Sequence, residues 1–185
     1  MTDLDQEPWP DPPLTGDDAT AIVAALERQR ATLAWKCGGL DADGLRATTA
    51  ASTITLGGLL KHLAVVEDNT FTRRIGGKDM PPPWNSVHWD AEPDWEWRSA
   101  ADDTPDRLYS LWRGAVDRSR IALAEALAEG NLDQLVTGIS DEEGRSPSLR
   151  RVLLDTLEEY ARHVGHADII RESVDGLVGE DRPQS

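Results

Sequence analysis

His163 and His166 stand three residues apart in Glu159-Tyr-Ala-Arg-His163-Val-Gly-His166. On a helix that advances about 100° per residue, Glu159, His163 and His166 fall within a stripe about 60° wide. Two imidazoles on adjacent turns can reach one ion, an arrangement that helical bundles use for metal centres. Glu159 can add a carboxylate ligand, or accept a hydrogen bond from an imidazole that holds the ion. His62, in Gly57-Gly58-Leu-Leu-Lys-His62-Leu, supplies a third imidazole from a different segment. His62, His163 and His166 are therefore the expected ligands of one divalent metal ion. Three protein ligands leave a position open for water or substrate, the pattern of catalytic rather than structural zinc. The histidines flank the apolar stripes of their helices, so the competing reading is of solvated or hydrogen-bonded boundary side chains.

Other residues carry weaker signals. Glu67 lies in the middle of the apolar arc formed by Leu56, Leu60 and Leu63. A carboxylate buried there must be paired or change its protonation. Arg74, two turns further along the same line, is the expected partner. A catalytic or metal-binding Glu67 is the alternative. His88 lies in a tryptophan-rich connection where it could cover a cleft. Cys37 reads as a small buried side chain rather than a nucleophile. No Ser-His-Asp signature, phosphate-binding glycine loop or CxxC pair occurs.

Four helical segments must position these groups. The first spans about residues 17–37, capped by Asp17 or Asp18 and stopped by Gly38-Gly39. The second spans about 55–75, with Thr55 as its cap. The third spans about 105–129, with Thr104 as cap and Pro105 in the first turn. The fourth spans about 148–175, from Ser148 to the terminating Gly176. Four long helices in one modest domain indicate an all-α four-helix bundle. The connections 38–54 and 76–103 are long for a bundle, and long loops are often functional. The second contains Pro81-Pro82-Pro83, Trp84, Trp89, Trp95 and Trp97. The alternation in Trp95-Glu96-Trp97-Arg98 suggests a short extended piece. Residues 1–16 are acidic and proline-rich and read as an extended arm, which Trp9 and Leu14 could pin to the body. The bundle is expected over residues 17–178, with a tail over 179–185.

The chain has 185 residues, with 34 acidic against 19 basic and a net charge of -15. That surface repels phosphate backbones and anionic membrane faces, so nucleic acid and membrane are not expected partners. No apolar run approaches the ~20 residues of a membrane span. Cys37 is the only cysteine, which rules out an internal disulfide and a cysteine-based zinc knuckle. The N-terminus lacks the basic and apolar regions of a signal peptide. A cytoplasmic protein is expected, with a homodimer possible through exposed apolar edges.

Three segments, in order, resemble the DinB/YfiT-like superfamily. Leu59-Leu-Lys-His62-Leu-Ala-Val-Val-Glu67 resembles its histidine-bearing second helix. Leu157-Glu-Glu-Tyr-Ala-Arg-His163-Val-Gly-His166-Ala-Asp168 resembles its final metal-binding helix. Gln29-Arg30-Ala-Thr-Leu33-Ala-Trp35-Lys36-Cys37-Gly-Gly-Leu40 is similar to a branch widespread among mycothiol-making bacteria. The resemblance covers roughly residues 14–178. It implies an up-down-down-up bundle with a three-ligand centre at one end, holding zinc or nickel. It also brings in the superfamily's Glu-x-x-x-His spacing, which Glu159 and His163 match, so Glu159 could replace a histidine as ligand.

Relatives include a mycothiol-dependent maleylpyruvate isomerase and thiol S-transferases. The resemblance therefore implies a metal-dependent thiol S-transferase or isomerase. Such an enzyme would activate a low-molecular-weight, mycothiol-like thiol for attack on a small electrophile. Coordination lowers a thiol's pKa, and the thiolate is the nucleophile. The rival expectation is a non-catalytic small-molecule or metal-binding bundle.

Overall fold

Each long helix begins on a side chain that accepts a hydrogen bond from an otherwise unpaired backbone N–H. Asp17 accepts from Thr20 N, Thr55 from Gly58 N, Thr104 from Arg107 N and Ser148 from Arg151 N. The helices that follow are α1 (Asp18–Cys37), α2 (Ala42–Arg46), α3 (Leu56–Glu67), α4 (Trp95–Ser99), α5 (Pro105–Glu129) and α6 (Leu149–Asp175). From Asp68 to Ile75 the helix of α3 continues as a π-helix. Gly176 ends α6 in the left-handed conformation, φ 78°, that glycine adopts without a Cβ penalty. These ranges come from a computed structural model of the chain, which describes residues 9–182. Residues 1–8 of the expected arm and 183–185 of the expected tail lie outside the described residues.

The protein is all-α. Among the described residues there is no strand, only an isolated bridge between Leu135 and Ser148. Helix α1 packs along α6 and α3 packs along α5. Leu26, Leu33, Leu56, Leu59, Leu60, Leu63, Leu153 and Tyr160 are fully buried between them. Two glycines in the first turn of α3 let neighbours come close. A Cβ at Gly57 would stand 3.1 Å from Leu108 Cδ1, and one at Gly58 would stand 3.0 Å from Trp97 Cε3.

Two sequence expectations need correction. The segment Trp95-Glu96-Trp97-Arg98 is helical, not extended. Its polar and aromatic alternation mimicked a strand, but Arg98 pairs with Asp94 across one turn and Ser99 Oγ donates to the Trp95 carbonyl. Glu67 is paired, but by Arg30 of α1 rather than by Arg74, which is exposed. Arg74 follows in the π-helix, which breaks the 3.6-residue period that would have kept it on the Glu67 stripe.

The arm's described part lies against α1. The Trp9 ring meets Trp35 edge-on at 6.0 Å, and Arg28 donates to the Pro10 carbonyl at 2.5 Å. Leu14 is fully exposed.

Candidate metal centre

Helix α3 delivers His62 and helix α6 delivers Glu159 and His163 to one place. A ligand atom of each lies within 4.8 Å of the other two. Glu159 Oε1 is at the centre, 3.0 Å from His62 Nε2 and 3.1 Å from His163 Nε2. The i, i+4 spacing stacks Glu159 and His163 on adjacent turns of α6, and the packing of α3 on α6 brings in His62. His163 is buried and His62 nearly so, while the Glu159 side chain is 34% exposed. The group therefore opens to solvent on the carboxylate side.

The third histidine of the sequence reading, His166, lies one turn further along α6. Its Nδ1 is 3.2 Å from His163 Nδ1, on the opposite edge of that ring from Glu159. His88 is exposed and is not one of the grouped residues; its backbone carbonyl accepts from Ala91 and Glu92.

The structure adds two residues that sequence reasoning missed. Glu96 of α4 is buried, and its Oε1 is 3.2 Å from His62 Nδ1. Trp97 stacks on the His62 ring, with centroids 4.4 Å apart and planes 23° apart. The adjacent Trp-Glu-Trp triplet was the available signal, hidden by its strand-like alternation. The segment is tied to α3 itself: Lys61 Nζ pairs with Asp103 at 2.5 Å and sits 4.3 Å over the Trp95 ring.

The electrostatics of the group are those of a tightly coupled cluster. Burial alone would depress the His62 pKa, but the hydrogen bonds to Glu96 and Glu159 outweigh it and hold the imidazole above its ordinary value. Burial and the charge on His62 push His163 down. Burial would raise Glu159, but hydrogen bonding to His62 and the charge on His163 bring it below the usual carboxylate range.

A second polar system lies deeper and is closed. Arg30 donates Nε–H and Nη2–H to the two oxygens of Glu67 at 2.8 and 2.6 Å, and Tyr160 donates to Glu67 Oε1 at 2.6 Å. Trp112 Nε1 donates to Tyr160 Oη. All of these side chains are buried, and Glu67 has no open face for substrate. Next to it, Asp68 is held by Arg118 Nε and Nη2 and by Trp84 Nε1. Cys37 is fully buried, and burial raises its thiol to about 12, so it offers no thiolate at neutral pH.

The donor set suits a divalent ion. Two imidazole nitrogens and one carboxylate oxygen form a His₂Glu set with an open position, a pattern of catalytic zinc. A tetrahedral ion with ligand bonds of about 2.0–2.1 Å separates its ligand atoms by roughly 3.3 Å. The observed 3.0 and 3.1 Å are close to that spacing. A family model described as mycothiol S-transferase matches residues 21–176. No curated protein matches the chain.

Proposed function

Because the chain belongs to the mycothiol S-transferase family, which implies a thiol substrate, we propose that it is a divalent-metal-dependent enzyme. It activates a low-molecular-weight thiol of the mycothiol type for transfer to a small electrophile. His62, Glu159 and His163 hold the ion, zinc or nickel. The observation that carries this reading is the convergence of those three side chains, from two helices, at a solvent-reachable spot.

A bound divalent ion supplies the positive charge that lowers a thiol's pKa toward neutrality. The chain's own groups do the rest. Glu159 contributes a negative charge to the site and leaves its exposed side for substrate. Trp97 covers the His62 ring and excludes water from that flank. The protein's own thiol, Cys37, takes no part.

The finer topology is read as an up-down-down-up bundle over residues 17–178. Asp18 pairs with Arg150 and Lys36 with Asp168, which supports parallel α1 and α6. Cys37 lies near Leu56 and Arg30 pairs with Glu67, which supports α3 antiparallel to α1. Gly57 meets Leu108 and Ser119 donates to the Glu67 carbonyl, which supports α5 parallel to α3. Among the described residues no helix is long and apolar enough to cross a membrane. A cytoplasmic location is part of the proposal, resting on the single, unpaired Cys37.

The test is consumption of a thiol, with a chromogenic aromatic chloride as electrophile, by zinc- or nickel-loaded protein. The wild type should be active and His62→Ala inactive. Elemental analysis should show about one ion per chain, lost in Glu159→Ala and retained in His166→Ala. Equal rates for wild type and His62→Ala would sink the catalytic reading.

A further inference from the structure

Glu96 poses a question that the ion-holding group leaves open. Its side chain is 8% exposed, and among the described residues its only hydrogen-bond contact is Oε1 to His62 Nδ1. The second oxygen, Oε2, is buried without a hydrogen-bond partner among the described residues. Burying a carboxylate so incompletely satisfied is costly. A purely structural contact between α4 and α3 would be served better by an apolar side chain, as Trp95 and Trp97 show on either side.

The geometry around the two imidazoles is matched. Each ring has one nitrogen beside Glu159 Oε1 and the other beside a different polar atom. For His62 that atom is Glu96 Oε1 at 3.2 Å. For His163 it is His166 Nδ1, also at 3.2 Å. An ionised carboxylate only accepts, so Glu96 requires the proton on His62 Nδ1. Two facing Nδ1 atoms share one proton, and a hydrogen on His163 Nδ1 is the arrangement that frees its Nε2. In both rings Nε2 is then the nitrogen left to ligate an ion held beside Glu159 Oε1.

We infer that Glu96 and His166 are positioning residues of the centre. Each accepts the Nδ1–H of one imidazole, fixing the tautomer and ring orientation so that His62 and His163 both offer Nε2. The inference rests on the proposed metal-binding reading, and it gives His166 a role as acceptor rather than ligand. It also explains the place of α4, which carries Glu96 to the edge of His62 while Trp97 covers its face. Acceptors behind metal-bound histidines typically govern 10–100-fold of metal affinity.

The test uses the full chain loaded with zinc. Zinc affinity is measured by competition with a chromophoric chelator for wild type, Glu96→Ala, Glu96→Gln and His166→Ala. The protonated nitrogen of each imidazole is read by ¹⁵N correlation spectroscopy of the wild type. We expect roughly 10–100-fold weaker zinc binding for Glu96→Ala and about 10-fold weaker for His166→Ala. Glu96→Gln, whose amide oxygen still accepts, should lose less than Glu96→Ala. The wild-type spectra should place the proton of His62 and His163 on Nδ1. Glu96→Ala within twofold of wild type, or either ring bound through Nδ1, would overturn the inference while leaving the metal reading intact. If Glu96→Ala does not fold, the wild-type tautomers and Glu96→Gln decide. A wild type that binds no zinc would overturn both.

Discussion

Arg30 and Glu67 meet side-on, with two parallel hydrogen bonds of 2.8 and 2.6 Å, where neither side chain is exposed by more than 2%. The pair ties α1 to the last turn of α3, the helix that carries His62. Burial alone would depress the Arg30 pKa, but the Glu67 carboxylate more than offsets it and keeps the guanidinium charged. Arg30→Ala leaves a buried, half-satisfied carboxylate and should cost about 3–5 kcal/mol. Exchanging both partners for apolar residues, Arg30→Met with Glu67→Leu, should cost much less. Urea denaturation of both variants measures this, and a loss under 1 kcal/mol for Arg30→Ala would contradict the pairing.

Removing the ion should loosen the protein. Metal present at 100 times its dissociation constant stabilises the folded state by ~2.7 kcal/mol. For a chain of this size that corresponds to a melting shift of roughly 5–10 °C. A thermal scan with and without chelator should show it for wild type. The His163→Ala variant should melt at the same temperature in both conditions. An unshifted wild type would favour a bundle that holds no ion.

Cys37 should be inert in the folded state. Its sulfur is fully buried, and burial raises its pKa to about 12. An aromatic disulfide reagent should release no chromophore from native protein at pH 8 within minutes. One equivalent should appear at once in 6 M guanidinium chloride. Rapid reaction of the native protein would mean that the C-terminal end of α1 opens far more readily than its packing suggests.

Acid should weaken the contact between α1 and α5. Glu27 accepts from both Arg30 and Arg120. Burial would raise its carboxyl, but the Arg120 hydrogen bond and the Arg30 charge bring it below its ordinary value. A folded-state pKa below the unfolded one stabilises the protein above the unfolded value, and the benefit disappears as pH falls through the folded value. Glu27→Gln should therefore be less stable than wild type at pH 7. The gap should shrink as pH drops through the carboxylate range, as followed by urea midpoints at pH 7, 5 and 3.5. A gap that stays constant or widens in acid would rule out this charge as its origin.

Much of the helical framework could be read from local chemistry. Thr55, Thr104 and Ser148 cap the helices expected of them, and Gly176 ends α6. Helical spacing put Glu159, His163 and His166 on one stripe and offered His62 from a second helix, with the three histidines as the expected ligands. That Glu159 and His163 are the two that meet His62 depends on how α3 sits against α6. What could not be read depends on contacts between distant segments. Arg30 lies 37 residues before Glu67, and no periodicity links them. Glu96 stands in a five-residue helix, too short to show an apolar stripe, inside a connection full of tryptophan. Helix α2 was missed for the same reason of length.

Helix α3 and its π-helical continuation carry both His62 and the two anchors of the segment that covers it. Lys61 holds the segment's end through Asp103 and Trp95, and Asp68, at the start of the π-helix, holds its beginning through Trp84. The cover is thus indexed to the same helix as the histidine beneath it. Between the two anchors His88 and Asp90 are exposed, while Trp89 packs against Trp95, and Glu92 and Asp94 hold Arg98 of α4. A change of length in this stretch would therefore be felt at Trp95 and Arg98, the residues on either side of Glu96 and Trp97 on α4.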